Sequence, residues 1–200
     1  MNTVKEKFSY AIGQQIGQGI MNDRLDVEPA TLIQGISDAL NQEKSKLTVE
    51  EMQQAIQHFQ EQAAGSRQAV SDKNSEAGKA FLEKNSTREE VTTLDNGLQY
   101  RIITQGDGEQ PTKTDSVTVH YKGSLISGQE FDSSYSRGTP TTFPVTGVIA
   151  GWQEILQIMP LGSKWEVFIP SEMAYGEQGA GNAIGPNEAL VFEMELISIN

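Results

Sequence analysis

The first half of the chain carries apolar side chains with the period of an α-helix. Three stripes, spaced mostly by three or four residues, are separated by polar stretches. They consist of Phe8, Ile12, Ile16 and Ile20; of Leu32, Ile33, Ile36 and Leu40; and of Val49, Met52, Ile56, Phe59 and Ala63. Pro29 suits the first turn of the second helix, and Thr48 forms a capping box with Glu51 at the start of the third. The pattern therefore predicts three helices.

The third predicted helix continues into a polar stretch. Between residues 64 and 84 its apolar stripe is reduced to Val70, Ala77 and Phe81. A helix that is continuous from residue 48 to 84 would be about 55 Å long at ~1.5 Å per residue. Because a mostly polar helix cannot pack into a core, we predict a solvent-exposed spacer. The alternative is a break near Gly65 and Ser66, followed by a partly disordered stretch.

From residue 97 onward, apolar residues alternate with polar ones, which is the period of a β-strand. The alternating positions are Leu98, Tyr100 and Ile102; Val117, Val119 and Tyr121; Trp165, Val167 and Ile169; and Leu190, Phe192, Met194 and Leu196. Turns that contain glycine or proline separate these runs. One helix interrupts them, with Trp152, Ile155, Leu156 and Met159 on a single face.

These patterns predict an α+β protein of two domains. Residues 1–96 form an all-α domain that includes the long linking helix, and residues 97–200 form an antiparallel sheet wrapped on one short helix. The first helices are too small to bury a good core unaided. Gly13 and Gly17 lower helix propensity, which is explained if another helix approaches closely there. We therefore expect residues 1–96 to be a dimerisation domain and the protein to be a homodimer.

The composition of the chain excludes several classes of function. There are 27 acidic and 15 basic side chains, and the resulting formal net charge of -12 argues against nucleic acid as a partner. The chain has no cysteine, which excludes disulfides, thiolate catalysis and zinc–cysteine sites. We expect no metal and no other cofactor. Its two histidines, His58 and His120, are far from any G-x-S-x-G motif of a nucleophilic serine.

The sequence contains no membrane-spanning or targeting signal of the usual kinds. No run of eighteen or more apolar residues is present. The start of the chain lacks the uninterrupted apolar core of a signal peptide, and the acidic balance disfavours an anionic membrane surface. We expect a cytoplasmic protein without a membrane partner, unless a signal peptide was removed ahead of this start.

Aromatic side chains in the second half exceed what a small core needs. They are Tyr121, Phe131, Tyr135, Phe143, Trp152, Trp165, Phe168, Tyr175 and Phe192. A core accounts for some of these rings, but a sheet of this size buries one layer against one helix. The surplus rings, with Asp132, Arg137 and the glycine-rich stretch 176–185, indicate an apolar pocket with few polar groups, the usual form of a small-ligand site. That stretch lacks the G-x-G-x-x-G spacing of a nucleotide motif and is interpreted as a flexible flap.

A hydrolase with paired carboxylates is the competing class of enzyme. It would need a second acid beside Asp132. Glu130 alternates to the opposite strand face from Phe131, and the pattern places no other acid nearby. His120 alternates away from Tyr121 and is expected to be structural or exposed.

Four segments of the second half resemble the FKBP family of peptidyl-prolyl cis-trans isomerases. They read VHYKGSLISGQEFDSS, VIAGWQEILQIMPLGSKWEVFIP, AYGEQG and ALVFEMELI, and the match spans residues 98–200 in order and in spacing. The helical half resembles the dimerisation region of the bacterial macrophage-infectivity-potentiator-like subgroup. The resemblance implies an FKBP-like fold and an isomerase that accelerates proline-limited protein folding. The alternative is a chaperone or binding module that uses the same cleft without significant turnover.

The resemblance also implies the residues of the site. It assigns catalytic roles to Tyr121, Phe131, Asp132, Tyr175 and Phe192, and substrate binding to Arg137, Phe143, Val148, Ile149, Trp152 and Ile184. Trp152 would form the pocket floor, and Tyr175 would offer its hydroxyl to a substrate carbonyl. Asp132 would be a buried carboxylate held by Arg137 and the Tyr121 hydroxyl.

The implied partners are unfolded or partly folded polypeptides that contain proline, with macrolide immunosuppressants as inhibitors. Some residues depart from the family pattern. Thr141 stands where the best-known members carry an aromatic, Ala180 and Ala183 replace bulkier flap residues, and Gly185 stands where proline is common. These changes thin the pocket rim, so we expect them to alter substrate preference and macrolide affinity more than activity.

Overall fold

The computed structural model describes residues 1–22 and 25–200, and the contacts divide the chain into two units, Met1–Ser66 and Arg67–Asn200. The helical unit, Met1–Ser66, contains α1 (Val4–Asn22), α2 (Pro29–Leu40) and the beginning of α3 (Val49–Ser86). The sheet unit, Arg67–Asn200, contains the rest of α3 together with every described strand. The predicted three helices are confirmed, and α3 is continuous through residues 65 and 66.

The helix starts are defined by side-chain caps. The backbone N–H of Thr48 donates to Glu51 at 2.8 Å, and the backbone N–H of Glu51 donates to the Thr48 hydroxyl at 3.2 Å. This is the predicted capping box, which satisfies two backbone donors that no helical carbonyl can reach. At α2, the Glu28 carboxylate accepts from the backbone N–H groups of Ala30 and Thr31.

Within its described residues, the helical unit buries no apolar side chain. The stripes predicted to pack are largely exposed; Phe8 on α1 and Ile33 on α2 keep 65% and 66% of their surface. Among the residues of this unit whose burial is described, the one buried is Asp38, which accepts a hydrogen bond from Gln34 and pairs with Lys46 at 3.3 Å. Over its described residues, the helical unit therefore shows no apolar core of its own.

The sheet unit is built on seven antiparallel strands. They are β1 (Val91–Thr93), β2 (Gln99–Thr104), β3 (Ser116–Leu125), β4 (Glu130–Ser133), β5 (Thr141–Pro144), β6 (Lys164–Ile169) and β7 (Leu190–Ile199). Their order is β1-β2-β6-β7-β3-β4, and β5 also pairs with β3. The long strand β3 therefore lies between β7 on one edge and both β4 and β5 on the other.

One short helix, α4 (Ala150–Ile158), covers the inner face of this sheet. Its predicted apolar face is buried throughout: Trp152, Ile155 and Leu156 join the core, with Met159 just past the helix end. They pack against the inward side chains of the central strands, which include Val117, Val119, Val167, Phe192 and Met194. The predicted α+β class is confirmed. The strands β1 and β5, of three and four residues, are too short to produce a clear alternation.

Within the sheet unit, the C-terminal part of α3 packs against the sheet and its loops, contrary to the expectation of a solvent-exposed spacer. Ser71, Gly78 and Asn85 are buried on one face of the helix. The Asn85 amide donates to Gln99 at 2.9 Å, and the Phe81 ring lies 6.0 Å from that of Phe168. At Gly78, an added Cβ would lie 3.1 Å from the Ala189 Cβ, so the glycine permits close approach. The spacer expectation is wrong for this face. Apart from the Phe81 ring, the contacts described above are hydrogen bonds and small residues, which apolar periodicity does not detect.

These contacts generate a prediction about where the second domain begins. We expect a fragment of residues 67–200 to have a free energy of unfolding at least about 2 kcal/mol above that of a fragment of residues 97–200. The shorter fragment loses the Phe81–Phe168 ring contact, the hydrogen bonds from α3 to Gln99 and the pairing of β1 with β2. Urea unfolding of both fragments, followed by tryptophan fluorescence, measures the difference. Equal stabilities would contradict it and favour the boundary between residues 96 and 97, which stays a prediction from sequence.

Candidate active site

The inner face of the sheet is open at one end, where it forms a cleft of about 450 Å³. Ten residues line it: Tyr121, Phe131, Asp132, Phe143, Gly147, Val148, Ile149, Trp152, Tyr175 and Phe192. They come from β3, β4, β5, β7, α4 and two connecting segments. The volume is in the range of small-molecule and peptide side-chain sites, and the lining is mainly aromatic, as such sites usually are.

Trp152 forms the floor of this cleft. It lies in the first turn of α4 and keeps 4% of its surface exposed. Three rings meet it edge to face: Tyr121 at 5.2 Å, Phe192 at 5.2 Å and Phe143 at 5.9 Å between centroids. Edge-to-face pairs are a favoured arrangement of aromatic rings, and each adds roughly 0.5–1.5 kcal/mol beyond burial. The Trp152 ring and the three rings around it therefore hold one another in place.

A glycine on β3 allows the far wall to close. The rings of Phe131 and Phe192 meet at 5.6 Å, nearly perpendicular. An added Cβ on Gly123 would lie 2.7 Å from atoms of both rings, closer than real Cβ atoms approach. Sequence reasoning missed Gly123, and it also missed Gly147, which lines the cleft. The signal for Gly123 was present, because a glycine inside a strand often marks a close approach.

The one carboxylate among the ten lining residues is held by two donors. The Tyr121 hydroxyl donates to one oxygen of Asp132 at 2.6 Å, and the Arg137 guanidinium donates to the other. Arg137 also donates to the Tyr121 hydroxyl at 2.9 Å and lies over the Tyr121 ring, 5.5 Å from its centroid. The three side chains thus form a closed triangle of hydrogen bonds at the edge of the cleft.

Asp132 is half-buried rather than buried. Its side chain keeps 44% of its surface exposed, because the triangle lies at the open mouth of the cleft. Partial burial acts to raise the pKa of Asp132, but the hydrogen bonds from Tyr121 and Arg137 and the charge of Arg137 outweigh it. The pKa of Asp132 is therefore held below its ordinary value of 3.8. Burial, followed by the hydrogen bond to Asp132, raises the pKa of Tyr121.

The remaining predicted residues differ in where they lie. Tyr175 lines the cleft and is partly exposed, at the start of the glycine-rich stretch. Ile184, from the same stretch, is 6% exposed and belongs to the hydrophobic core, not to the cleft lining. Arg137 reaches the cleft through Asp132 and is not one of the lining residues. Val148, Ile149 and Phe143 line it as expected.

His120 and Glu130, to which the sequence analysis gives no catalytic role, lie outside the cleft. His120 contacts the Ser134 hydroxyl at 2.9 Å and stacks on Tyr135 at 4.6 Å between centroids. Glu130 is exposed and accepts a hydrogen bond from Ser136. In the described ranges, 1–22 and 25–200, no group of three or more His, Asp or Glu could hold a metal ion. No helix in that part of the chain is both long and apolar enough to cross a membrane.

Comparison with known proteins relates both halves of the chain to FKBP-type peptidyl-prolyl cis-trans isomerases. The model of the FKBP-type peptidyl-prolyl cis-trans isomerase family matches residues 107–197, and that of the domain amino terminal to this isomerase matches residues 5–102. The FKBP-type 22 kDa peptidyl-prolyl cis-trans isomerase of Escherichia coli is 45% identical over 99% of this chain and 97% of its own length. The Legionella longbeachae outer membrane protein MIP is 43% identical over 100% of this chain and 87% of its own.

A solved structure extends the similarity to the fold. The crystal structure of FkpA from Escherichia coli covers 100% of this chain and 98% of its own, with 36% sequence identity and a TM-score of 0.71. Identity at this level over the whole chain, together with the aromatic cleft, confirms the resemblance seen in the sequence. This chain belongs to the FKBP-type peptidyl-prolyl cis-trans isomerases.

Proposed function

We propose that the aromatic cleft is the catalytic site and that it turns X-Pro peptide bonds without forming a covalent bond to the substrate. The observation that carries this proposal is the state of the cleft's carboxylate. Asp132 already accepts hydrogen bonds from Tyr121 and Arg137, and the other lining side chains are mainly aromatic or aliphatic. Such a cleft is poorly equipped for proton transfer and well equipped to bind a proline ring.

The chemistry of the peptide bond suits an apolar site. Rotation about a peptide bond faces a barrier of ~18–20 kcal/mol. The planar amide has a negative oxygen and a positive nitrogen, and water stabilises this charge separation, whereas the twisted transition state has less of it. An apolar cleft therefore disfavours the planar state more than the twisted one, which lowers the barrier. Binding the proline ring on Trp152, and fixing the flanking carbonyls, adds orientation.

We assign electrostatic and positioning roles to the polar residues. Asp132 orients Tyr121 and Arg137 and sets the field beside the prolyl carbonyl. Tyr175, which is partly exposed, offers its hydroxyl to a substrate carbonyl. Phe131 and Phe192 complete the catalytic wall, while substrate binding falls to Arg137, Phe143, Val148, Ile149 and Trp152. Ile184, which lies in the core, is not assigned to substrate binding. Macrolide immunosuppressants are the proposed inhibitors of this cleft.

We further propose that the protein is a homodimer through the helical unit. A groove of about 620 Å³ runs between α1 and α2, and its lining includes Ile16, Gly17, Ile20, Leu32, Ile33 and Ile36. An added Cβ at Gly13 or Gly17 would meet nothing within 4 Å, so these glycines leave room that the single chain does not use. Apolar stripes without a core among the described residues, and glycines facing open space, favour an apolar partner, and a second copy of this chain presents the same apolar face.

A dimer suits the proposed substrates, which are unfolded or partly folded polypeptides that contain proline. Two clefts in one particle would bind one such chain at two prolines, so that the second binding event becomes intramolecular. This would raise affinity without any new contact and support a chaperone role beside turnover.

The cytoplasmic location remains a prediction from sequence. It is tested by cell fractionation, which matters because the Legionella longbeachae relative is named as an outer membrane protein.

Mutation of Asp132 tests the hydrogen-bonded triangle of Tyr121, Asp132 and Arg137. We expect Asp132→Ala to lower kcat/KM on a short X-Pro peptide by about tenfold, or ~1.4 kcal/mol, because Tyr121 and Arg137 lose the group that orients them. Glu130→Ala is the matched control, since it removes an exposed acid from the same strand and should leave the rate unchanged. An unchanged rate in folded Asp132→Ala would reduce the triangle to a structural role. No acceleration by the wild type would leave a binding module.

The pH dependence of kcat/KM tests whether Asp132 acts in its ionised form. We expect kcat/KM to stay constant from about pH 8 down to about pH 5, because the lowered pKa keeps Asp132 ionised throughout. The stability that the ion pair contributes is present above the unfolded-state pKa and is lost as pH falls through the lower folded-state pKa. Rate profiles of the wild type check this. A loss of activity with a midpoint near 6.5, the ordinary pKa of histidine, would indicate acid–base chemistry instead.

The molecular mass in solution and a mutation in the groove test the proposed dimer. We expect light scattering to give the intact chain about twice its mass of 21.9 kDa, and a fragment of residues 67–200 to be monomeric and active on short peptides. Ile16→Lys should dissociate the dimer, because it places a charge in the groove. Gln15→Lys adds the same charge at an exposed position outside the groove lining and should not. A monomeric wild type would refute the proposed interface.

A further inference from the structure

The C-terminal part of α3 contacts the segment that follows Tyr175, here called the rim loop (residues 176–187). Three polar residues make the contacts: Arg67, Ser71 and Asn74. They are spaced i, i+4, i+7, which places them on one face of the helix. All three lie within the sheet unit, as does the loop they touch.

Each of the three residues binds a different part of the rim loop. Arg67 donates to the backbone carbonyls of Glu177 at 3.1 Å and of Gln178 at 3.2 Å. The Asn74 amide donates to the backbone carbonyl of Pro186 at 2.9 Å. The Asn187 amide donates to the Ser71 hydroxyl at 2.8 Å. The helix therefore holds both the beginning and the end of the loop.

The contact at the end of the loop leads directly back to Tyr175. The backbone N–H of Asn187 donates to the carbonyl of Gly176 at 2.8 Å, so the residue that binds Ser71 also binds the neighbour of Tyr175. Ser71 keeps only 6% of its surface exposed and Asn187 is half-buried, so this connection is partly shielded from water. At the centre of the loop, Ala180 and Ile184 exchange two backbone hydrogen bonds, which seats Ile184 in the core.

The rim loop is held partly by backbone hydrogen bonds of its own and partly by the contacts from α3. It contains no strand and a single short helical turn, Gly176–Gln178. Apart from Ile184, its described side chains are exposed or half-buried. Loops with few apolar contacts are the parts of a fold that open most easily. Hydrogen bonds from a helix are then a substantial share of what fixes such a loop in place.

We propose that Arg67, Ser71 and Asn74 are positioning residues for isomerisation: they hold the rim loop against α3 and thereby fix Tyr175 at the mouth of the cleft. The inference rests on the proposed role of the Tyr175 hydroxyl. It makes α3 a part of the catalytic unit, and not only a connection to the helical unit. None of these three residues lines the cleft, so their effect passes through the loop.

The test is a double-mutant cycle in the full-length protein. Arg67→Ala and Asn74→Ala are each made in the wild type and in Tyr175→Phe, and kcat and KM are measured on a short X-Pro peptide. Arg67→Lys is the conservative variant, because a lysine can still donate to the two carbonyls. Gln68→Ala is the matched control: Gln68 is an exposed polar residue of the same helix that binds Asp72. Hydrogen exchange of residues 176–187 reports the loop directly.

We expect Arg67→Ala and Asn74→Ala each to lower kcat/KM by roughly three- to tenfold, the range of a lost hydrogen bond. Exchange in the rim loop should rise in both, Arg67→Lys should recover most of the activity, and Gln68→Ala should match the wild type. In Tyr175→Phe the same substitutions should have little further effect, since the group they position is already absent.

Two results would overturn the inference. One is equal losses in the wild-type and Tyr175→Phe backgrounds, which would mean that α3 supports activity by a route other than Tyr175. The other is unchanged kcat/KM and unchanged loop exchange in folded Arg67→Ala and Asn74→Ala, although Tyr175→Phe lowers activity. Failure of the proposed function has a different signature: Tyr175→Phe alone would then be as active as the wild type.

Discussion

Trp152 connects the helix, the sheet and the cleft through a single buried ring. Tyr121 from β3, Phe143 from β5 and Phe192 from β7 each meet it edge to face. Because one short helix covers the inner face of the sheet, a single layer of side chains fits between them, and the rings at the open end have no second layer above them. The cleft is the place where this layer ends. The packing that stabilises the core therefore also defines the apolar surface offered to a proline ring.

The electrostatics of the cleft follow from the same geometry. Tyr121 contacts the floor with its ring and Asp132 with its hydroxyl, so the hydrogen-bonded triangle is anchored to the aromatic packing. Arg137 closes the triangle from the open side, where Asp132 is half-exposed. An ion pair at such a mouth contributes little to stability, on the order of 0–1 kcal/mol. The ion pair matters because it orients the Tyr121 hydroxyl and the charge of Arg137 beside an apolar surface that has few other polar groups.

Periodicity and motif spacing predict the helices, the longer strands and a helix cap. They do not predict contacts between polar residues or how a glycine-rich stretch folds back. The helical stripes, the capping box of Thr48 and the apolar face of α4 are local patterns, and each is found where expected. The cleft residues from Tyr121 to Phe192 were available through family resemblance. The docking of α3 was not predictable from apolar periodicity, because Ser71 and Asn74 are polar and their partners, Asn187 and Pro186, lie far away in sequence. The core position of Ile184 was also missed, since a glycine-rich stretch does not show where it folds back.

The contacts between α3 and the rim loop have a consequence for how such proteins can diverge. Arg67 and Asn74 bind backbone carbonyls of residues 177, 178 and 186, not their side chains. Every amino acid presents the same carbonyl, so the side chains of Glu177 and Gln178 can be exchanged while the attachment of the loop is retained. The surface beside the cleft mouth is therefore free to vary in size and charge between related enzymes, and new preferences for the residues around proline can arise there without rebuilding the scaffold.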